Sequence, residues 1–308
     1  MRDKVTVIGA GNVGATTAHW LMSRNICDVV LVDVVEGIPQ GKALDLYEAM
    51  PIAGGSVRMV GDQDYHATAG SGVVVITAGF ARKPGMSRDD LLMSNNEVVA
   101  QVAKKAADAS PDAIFVVVTN PADVMTYVTW KSTGLPASRV MGMAGVLDSA
   151  RFRLFLAMEL GVSPKDVVAF VMGGHGDQMV PLTRYSSVGG IPVETLVPKD
   201  RLDAIVKRTR TGGGEIVNLL KSGSAFYAPG ASVAEMVEAI LADQKRVLPV
   251  IAHLDGQYGE KDVYVGVPAL VGRGGVEKIF EIEFTEEEAA AFKHSVQGVR
   301  EPLSVLGY

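Results

Sequence analysis

The sequence predicts an α/β protein, with a doubly wound parallel sheet domain over residues 1–145 and a mixed α+β domain over residues 146–308. Three observations carry this. Short runs of β-branched residues alternate with longer helical stretches through the first half. A cluster of glycines separates the first such run from the first helix. The second half drops the alternation for helices mixed with short strands around tight turns. A length of 308 residues suits two domains, and 48% hydrophobic against 21% charged residues is the composition of a packed globular chain.

In chain order, Val5–Ile8, Val29–Val32, Val73–Thr77 and Ile114–Thr119 read as strands buried on both faces. Helices are expected from Val13 to about Ser23, from Gly41 to Met50 and from Ser87 to Ala109, with Pro111 stopping the last. Strand and helix in this order imply right-handed crossovers between parallel strands. Beyond residue 145, helices are expected at Leu147–Leu160, Asp200–Lys221, Ala231–Asp243 and Thr285–Arg300. Thr285 and Glu288 give the last a capping box. Ser163–Asp166 reads as a single turn leading into a strand at Val167–Met172. Further strands are expected at Val263–Val267, Ala269–Val271 and Ile279–Phe284, with Gly272–Gly275 as a turn.

Composition excludes several classes of function. One cysteine, Cys27, allows no internal disulfide framework and no Cys-rich metal centre, and no metal site is expected. A net charge of −6 argues against nucleic acid or anionic lipid as a partner. No apolar run approaches the roughly 18 residues that span a bilayer. The apolar stretch after Met1–Lys4 is too short for a secretory signal, so the expected setting is cytoplasmic.

Gly9-Ala10-Gly11-Asn12-Val13-Gly14 follows a strand, opens a helix and meets an acid at Asp33, 19 positions beyond Gly14. In that context the glycines let the backbone approach a pyrophosphate at the helix N-terminus, where free N–H groups and the helix dipole favour negative charge. Asp33 would accept hydrogen bonds from an adenosine ribose and repel a 2′-phosphate, which favours NAD over NADP. The alternative is a structural turn with a surface aspartate. On the first reading this is a Rossmann-type domain.

Gly173-Gly174-His175-Gly176-Asp177 sets a histidine among glycines after an apolar strand. Histidine titrates nearest neutrality, so His175 is the candidate proton carrier. His66, His253 and His294 have no comparable setting, and His19 belongs to the helix after the glycine turn. Asp148 and Arg151, three apart at a helix start, share a face. They form either an intrahelical salt bridge or a working pair, in which Asp148 orients the imidazole and Arg151 grips a carboxylate. Arg82 and Arg88 lie in a stretch with glycine and proline after Val73–Thr77, at the end of the sheet where ligands bind. That stretch is either a solvated basic loop or part of the site. Asn120, in Asn120-Pro121-Ala122-Asp123, either caps a helix or bonds substrate or cofactor.

Taken together, Gly9–Gly14, Asp33, Thr77-Ala78-Gly79, Asn120-Pro121, Leu147–Arg153 and Gly174–Asp177 resemble the lactate/malate dehydrogenase family, in order and spacing and essentially end to end. The resemblance implies an NAD-binding Rossmann domain followed by a catalytic domain. It makes His175 the acid/base and Asp148 its partner, and it gives Arg151 the substrate C1 carboxylate. Arg88 polarises the carbonyl on loop closure. Gly9, Gly11, Asn12, Val13, Gly14, Asp33, Asn95, Val118 and Asn120 contact the cofactor, and Asn120 also touches substrate. In this family arginine rather than glutamine at the position of Arg82 goes with a dicarboxylate substrate, because a second carboxylate in a closed site needs a cation. Ala225 matches a threonine of lactate dehydrogenases and leaves more room. Arg82–Arg88 and Val35–Asp45 are similar to the lactate-dehydrogenase-like group of bacterial malate dehydrogenases. That group implies reversible oxidation of (S)-malate to oxaloacetate, as in the citric acid cycle, by a homo-oligomer, a tetramer ahead of a dimer. A lactate or other 2-hydroxyacid dehydrogenase is the nearest alternative, and a non-catalytic NAD-binding protein the one from another class.

Overall fold

A computed structural model of the chain describes residues 3–80 and 87–308, the side chain of Arg88 excepted. The first half runs β1 (Lys4–Ile8), α1 (Asn12–Ser23), β2 (Asp28–Val32), α2 (Ile38–Glu48), α3 (Met50–Ala53), β3 (Met59–Asp62), β4 (Val73–Ile76), α4 (Arg88–Ala109), β5 (Ile114–Val117), α5 (Ala122–Thr133) and β6 (Val140–Gly142). The second half runs α6 (Gly145–Leu160), β7 (Val167–Met172), β8 (Val180–Val188), β9 (Ile191–Pro192), α7 (Val193–Leu196), α8 (Lys199–Leu220), α9 (Tyr227–Leu241), β10 (Arg246–Asp255), β11 (Lys261–Gly272), β12 (Gly275–Ile279) and α10 (Glu286–Val305).

The parallel strands lie in the order β3-β2-β1-β4-β5-β6, with Val5 opposite Val29 on one side and Val73 on the other. This is the doubly wound order, and the direction of winding reverses between β1 and β4, which opens a crevice at their carboxyl ends. β4 and β5 are buried along their whole length, as their unbroken Val/Ile/Phe runs require. The sheet does not stop at β6. β10 pairs antiparallel with it, Ile251 opposite Gly142, and β11 and β12 follow to make nine strands. The second half therefore extends the first half's sheet, while β7, β8 and β9 form a smaller antiparallel sheet. α9 also crosses back onto the first half. A Cβ added to Gly230 would lie 2.9 Å from Cγ2 of Thr16 on α1.

Several expectations are corrected in detail. Val263–Val267 and Ala269–Val271 are one strand, β11, because Pro268 stands opposite Pro249. Two residues without an N–H share one rung, and the ladder continues on either side. The strand expected at Ile279–Phe284 lies earlier, at Gly275–Ile279. The Gly272–Gly275 turn closes so tightly that pairing begins at Gly275 itself, with φ +86°, and the residues after Ile279 leave the ladder. β3, β6, β8, β9 and β10 carry no matching expectation. The helix expected from Gly41 starts at Ile38, where Pro39 sits in the first turn, and α9 starts at Tyr227 rather than Ala231. Both Thr285/Glu288 and Ser87/Asp90 form complete capping boxes. Pro164–Asp166 is the single turn expected before β7.

Candidate functional site

The glycine turn after β1 divides its glycines by task. Gly9 has φ +103°, and a Cβ there would lie 2.7 Å from the Ala78 nitrogen; at Gly14 it would lie 1.8 Å from the Gly9 carbonyl oxygen. Those two permit the turn and the packing of helix on strand. A Cβ on Gly11 would meet nothing within 4 Å. Its bareness serves space outside the protein, which is what close approach by a ligand needs. Gly11 is also the N-cap of α1, which has no side-chain cap and no acid in its first turn, so its N–H groups are left for an anion. Asp33 follows β2. Its Oδ2 accepts from the Ala10 N–H at 2.7 Å and its Oδ1 from the Val35 N–H at 3.1 Å, while Lys42 Nζ donates to the Ala10 carbonyl at 2.7 Å. Ala10 is thus held through both its N–H and its carbonyl. The cleft beyond it, about 420 Å³, is lined by Gly11, Asn12, Val13, Val118 and Asn120 among others. An open glycine, an uncapped helix N-terminus and a carboxylate at the end of the next strand fit a dinucleotide.

Asn95 on α4 is buried and points both ends of its amide into the protein. Oδ1 accepts from the Phe80 N–H at 2.7 Å, and Nδ2 donates to the Asn120 carbonyl at 2.8 Å. It ties the segment after β4 to the segment after β5 at the mouth of the cleft. Asn120 itself is exposed and stands where three cavities meet.

The acid/base cluster is assembled by α6 and the turn after β7. Asp148, 2% exposed in the first turn of α6, spends one oxygen on each of two partners. Oδ1 accepts from Arg151 Nη1 at 3.0 Å, and Oδ2 lies 2.9 Å from His175 Nδ1. The salt bridge and the orienting aspartate are the same carboxylate. The glycines hold the histidine turn in place. Gly173 has φ +82° and exchanges hydrogen bonds of 2.9 and 3.2 Å with Gly266 on β11. The Gly174 N–H donates to Ser295 Oγ of α10 at 2.7 Å, and the His175 N–H donates to Asp123 Oδ2 of α5 at 2.8 Å. Burial alone would lower the imidazole pKa, but the charge of Asp148, its hydrogen bond and the charge of Asp123 outweigh it, and the net shift is upward. Nδ1 faces Asp148, so Nε2 is the nitrogen left for a substrate.

A cavity of about 330 Å³ beside this cluster is lined by Asn120, Leu147, Arg151, His175, Arg210 and Ala225 among others. Arg210, Asp123 and Ser295 are given no role by the sequence, because each reaches the site only through tertiary placement. Of the other histidines, His19, His66 and His294 are exposed, and His253 packs against Trp130 and Tyr264. Arg82 and the side chain of Arg88 lie outside the described residues. Among the described residues no group of three His, Cys, Asp or Glu side chains is placed to hold a metal ion, and no helix is long and apolar enough to cross a membrane.

Two family models account for nearly the whole chain. Residues 3–142 match the lactate/malate dehydrogenase NAD binding domain, and residues 145–304 match the lactate/malate dehydrogenase alpha/beta C-terminal domain. The chain belongs to the lactate/malate dehydrogenase family. Its relatives in the family include proteins named malate dehydrogenase from Thermomicrobium roseum, 61% identical over 306 residues, and from Desulforudis audaxviator, 58% identical over 305 residues; each match covers 99% of both chains. The solved malate dehydrogenase of Salinibacter ruber superposes with a TM-score of 0.95 at 52% identity, covering 99% of this chain and 97% of that one. A lactate dehydrogenase from Cryptosporidium parvum, complexed with lactic acid and nicotinamide adenine dinucleotide, gives 0.96 at 42% identity over 100% and 98% of the two chains. The glycine turn and Asp33 fall inside the residues matched to the NAD binding domain.

Proposed function

We propose that this member of the family oxidises (S)-malate to oxaloacetate and catalyses the reverse reduction. The observation that carries the reading is the Asp148 carboxylate joining Arg151 to His175 on the wall of a cavity that adjoins the cofactor cleft. Full-length relatives named malate dehydrogenase at 55–61% identity favour malate over lactate.

NAD bound in the cleft would supply the acceptor for the C2 hydride. Arg151 holds the C1 carboxylate as a bidentate partner. Neutral His175 takes the hydroxyl proton on Nε2 as the hydride leaves, and Asp148 stabilises the imidazolium so formed. Arg88 polarises the C2 oxygen, and Asn120 contributes a hydrogen bond beside it. Arg82 pairs with the second carboxylate, which would be costly to bury alone. In the reduction His175 returns its proton to the new alkoxide.

The residue contacts with NAD are assigned to Gly11, Asn12, Val13, Asp33, Val118 and Asn120; Gly9 and Gly14 shape the turn, and Asn95, buried with both ends of its amide bonded to backbone, braces the segments beside the cleft instead of touching the cofactor. In this reading residues 1–145 form the cofactor domain and 146–308 the substrate domain, the protein is cytoplasmic, and it assembles as a homotetramer.

The test is NADH consumption with oxaloacetate and with pyruvate, in the wild type and in Arg82→Gln. The wild type prefers oxaloacetate strongly, and the substitution costs oxaloacetate reduction about a hundredfold or more while sparing pyruvate. A wild-type preference for pyruvate overturns the substrate, and equal losses on both substrates remove Arg82 from selectivity.

A further inference from the structure

Asp123 sits beneath the histidine turn, and no step of the reaction above uses it. It enters from the first turn of α5, an element separate from the α6 that carries Asp148, and it is 4% exposed. Its Oδ2 accepts the His175 backbone N–H. Its Oδ1 is buried and has no hydrogen-bond partner among the described residues. A carboxylate buried with one oxygen bare costs free energy, and a neutral acceptor would serve the His175 N–H more cheaply. The charge itself is therefore the feature that needs a reason.

The surroundings supply one. A second cavity, about 460 Å³, is lined by Asp123, His175, Asp177, Gln178, Ser295 and Pro302 among others. The charged groups facing His175 are Asp148 and Arg151 from α6, Arg210 from α8 across the substrate cavity, Asp177 from its own turn and Asp123 from α5. α10 contributes Ser295, an uncharged acceptor for the Gly174 N–H. Arg151 is already matched by Asp148. A protonated His175 would leave this pair with a net positive charge, and Asp123 is the buried acid able to balance it.

We propose that Asp123 is a positioning residue for His175, anchoring the histidine through its backbone N–H and adding a second negative charge to the one Asp148 supplies. The proposal rests on the reading of His175 as the acid/base. The electrostatics run the same way. The Asp123 charge helps raise the His175 pKa, and burial pushes Asp123 itself up to about 6. Near neutral pH Asp123 is ionised and supports the imidazolium; as the pH falls through about 6 it takes up a proton and that support is withdrawn.

The experiment is an NMR titration of the histidine rings in the whole protein with NADH bound. The five histidines are few enough to resolve, and the His175 signal is the one missing from His175→Asn. Asp123→Asn keeps an oxygen for the His175 N–H and loses the charge. It should lower the His175 midpoint by about half a unit or more and move the acid limb of kcat/KM for malate downward by the same amount. Asp123→Glu, which keeps the charge, should hold the midpoint near that of the wild type. The unsubstituted protein gives a reading that needs no variant, since its His175 curve should show a second inflection near pH 6 as Asp123 titrates. An unmoved midpoint in Asp123→Asn, or a wild-type curve with one inflection, overturns the proposal and leaves Asp123 as a backbone anchor. Normal turnover by His175→Asn would instead remove His175 from the acid/base role while leaving the titration result standing.

Discussion

Asp148 has two oxygens and two partners, Arg151 and His175, and each oxygen has one assignment. The economy explains why this residue, rather than Asp123, could be recognised from the chain alone. Asp148 and Arg151 are three apart on one helix, and a histidine framed by glycines announces itself locally. Asp123 meets His175 across 52 residues and Ser295 meets Gly174 across 121, distances over which no spacing rule operates. The buried acid also leaves a mark on stability. An acid whose pKa rises from 3.8 to about 6 on folding binds its proton more tightly in the folded state, so its contribution to stability falls as the pH rises through that window. Asp123→Asn has no such term. Its melting temperature relative to wild type should therefore be higher at pH 8 than at pH 5, and scanning calorimetry at the two values gives the comparison. A constant gap would mean that Asp123 does not titrate in this range.

At the scale of elements, the glycine turn shows one motif doing two separable jobs. Gly11→Ala puts a methyl into open space and should leave the melting temperature near wild type, while weakening NADH binding by about tenfold or more, because the pyrophosphate can no longer approach the backbone. Gly14→Ala drives the same methyl against the Gly9 carbonyl and should destabilise the fold itself. Fluorescence titration with NADH, beside thermal melts, separates the two, and equal melting losses would show Gly11 to be structural. β1, β2, β4 and β5 were legible because a strand covered on both faces needs a near-continuous apolar run, which in β1 only Thr6 interrupts. β3 and β6 were not, being four and three residues long with glycine in each. β10 and β11 were obscured by prolines that look like breakers until they are seen opposite each other.

The whole molecule is stitched across its midpoint. β10 extends the sheet from β6, and α9 packs on α1, so a change of composition near residue 145 marks a change of architecture without marking an independent core. The main hydrophobic cluster accordingly runs from Val5 to Leu303. We expect one calorimetric unfolding transition rather than two, with two resolved peaks as the contrary result. The reversal of winding between β1 and β4, and hence the crevice, follows from the order of elements in the first half; the return of the second half to β6 depends on contacts that span more than a hundred residues, such as Ile251 with Gly142.

Val13, Val118, Asn120 and Ser224 line both the cleft beside the glycine turn and the cavity beside His175. The two chambers share a party wall, and part of that wall is surface that a dinucleotide would cover. Whatever settles in the cleft becomes masonry for the room next door. On the proposed function the second chamber is finished only once the first guest has arrived, so we expect the dinucleotide to enter first and leave last, and product-inhibition patterns showing random order would contradict this.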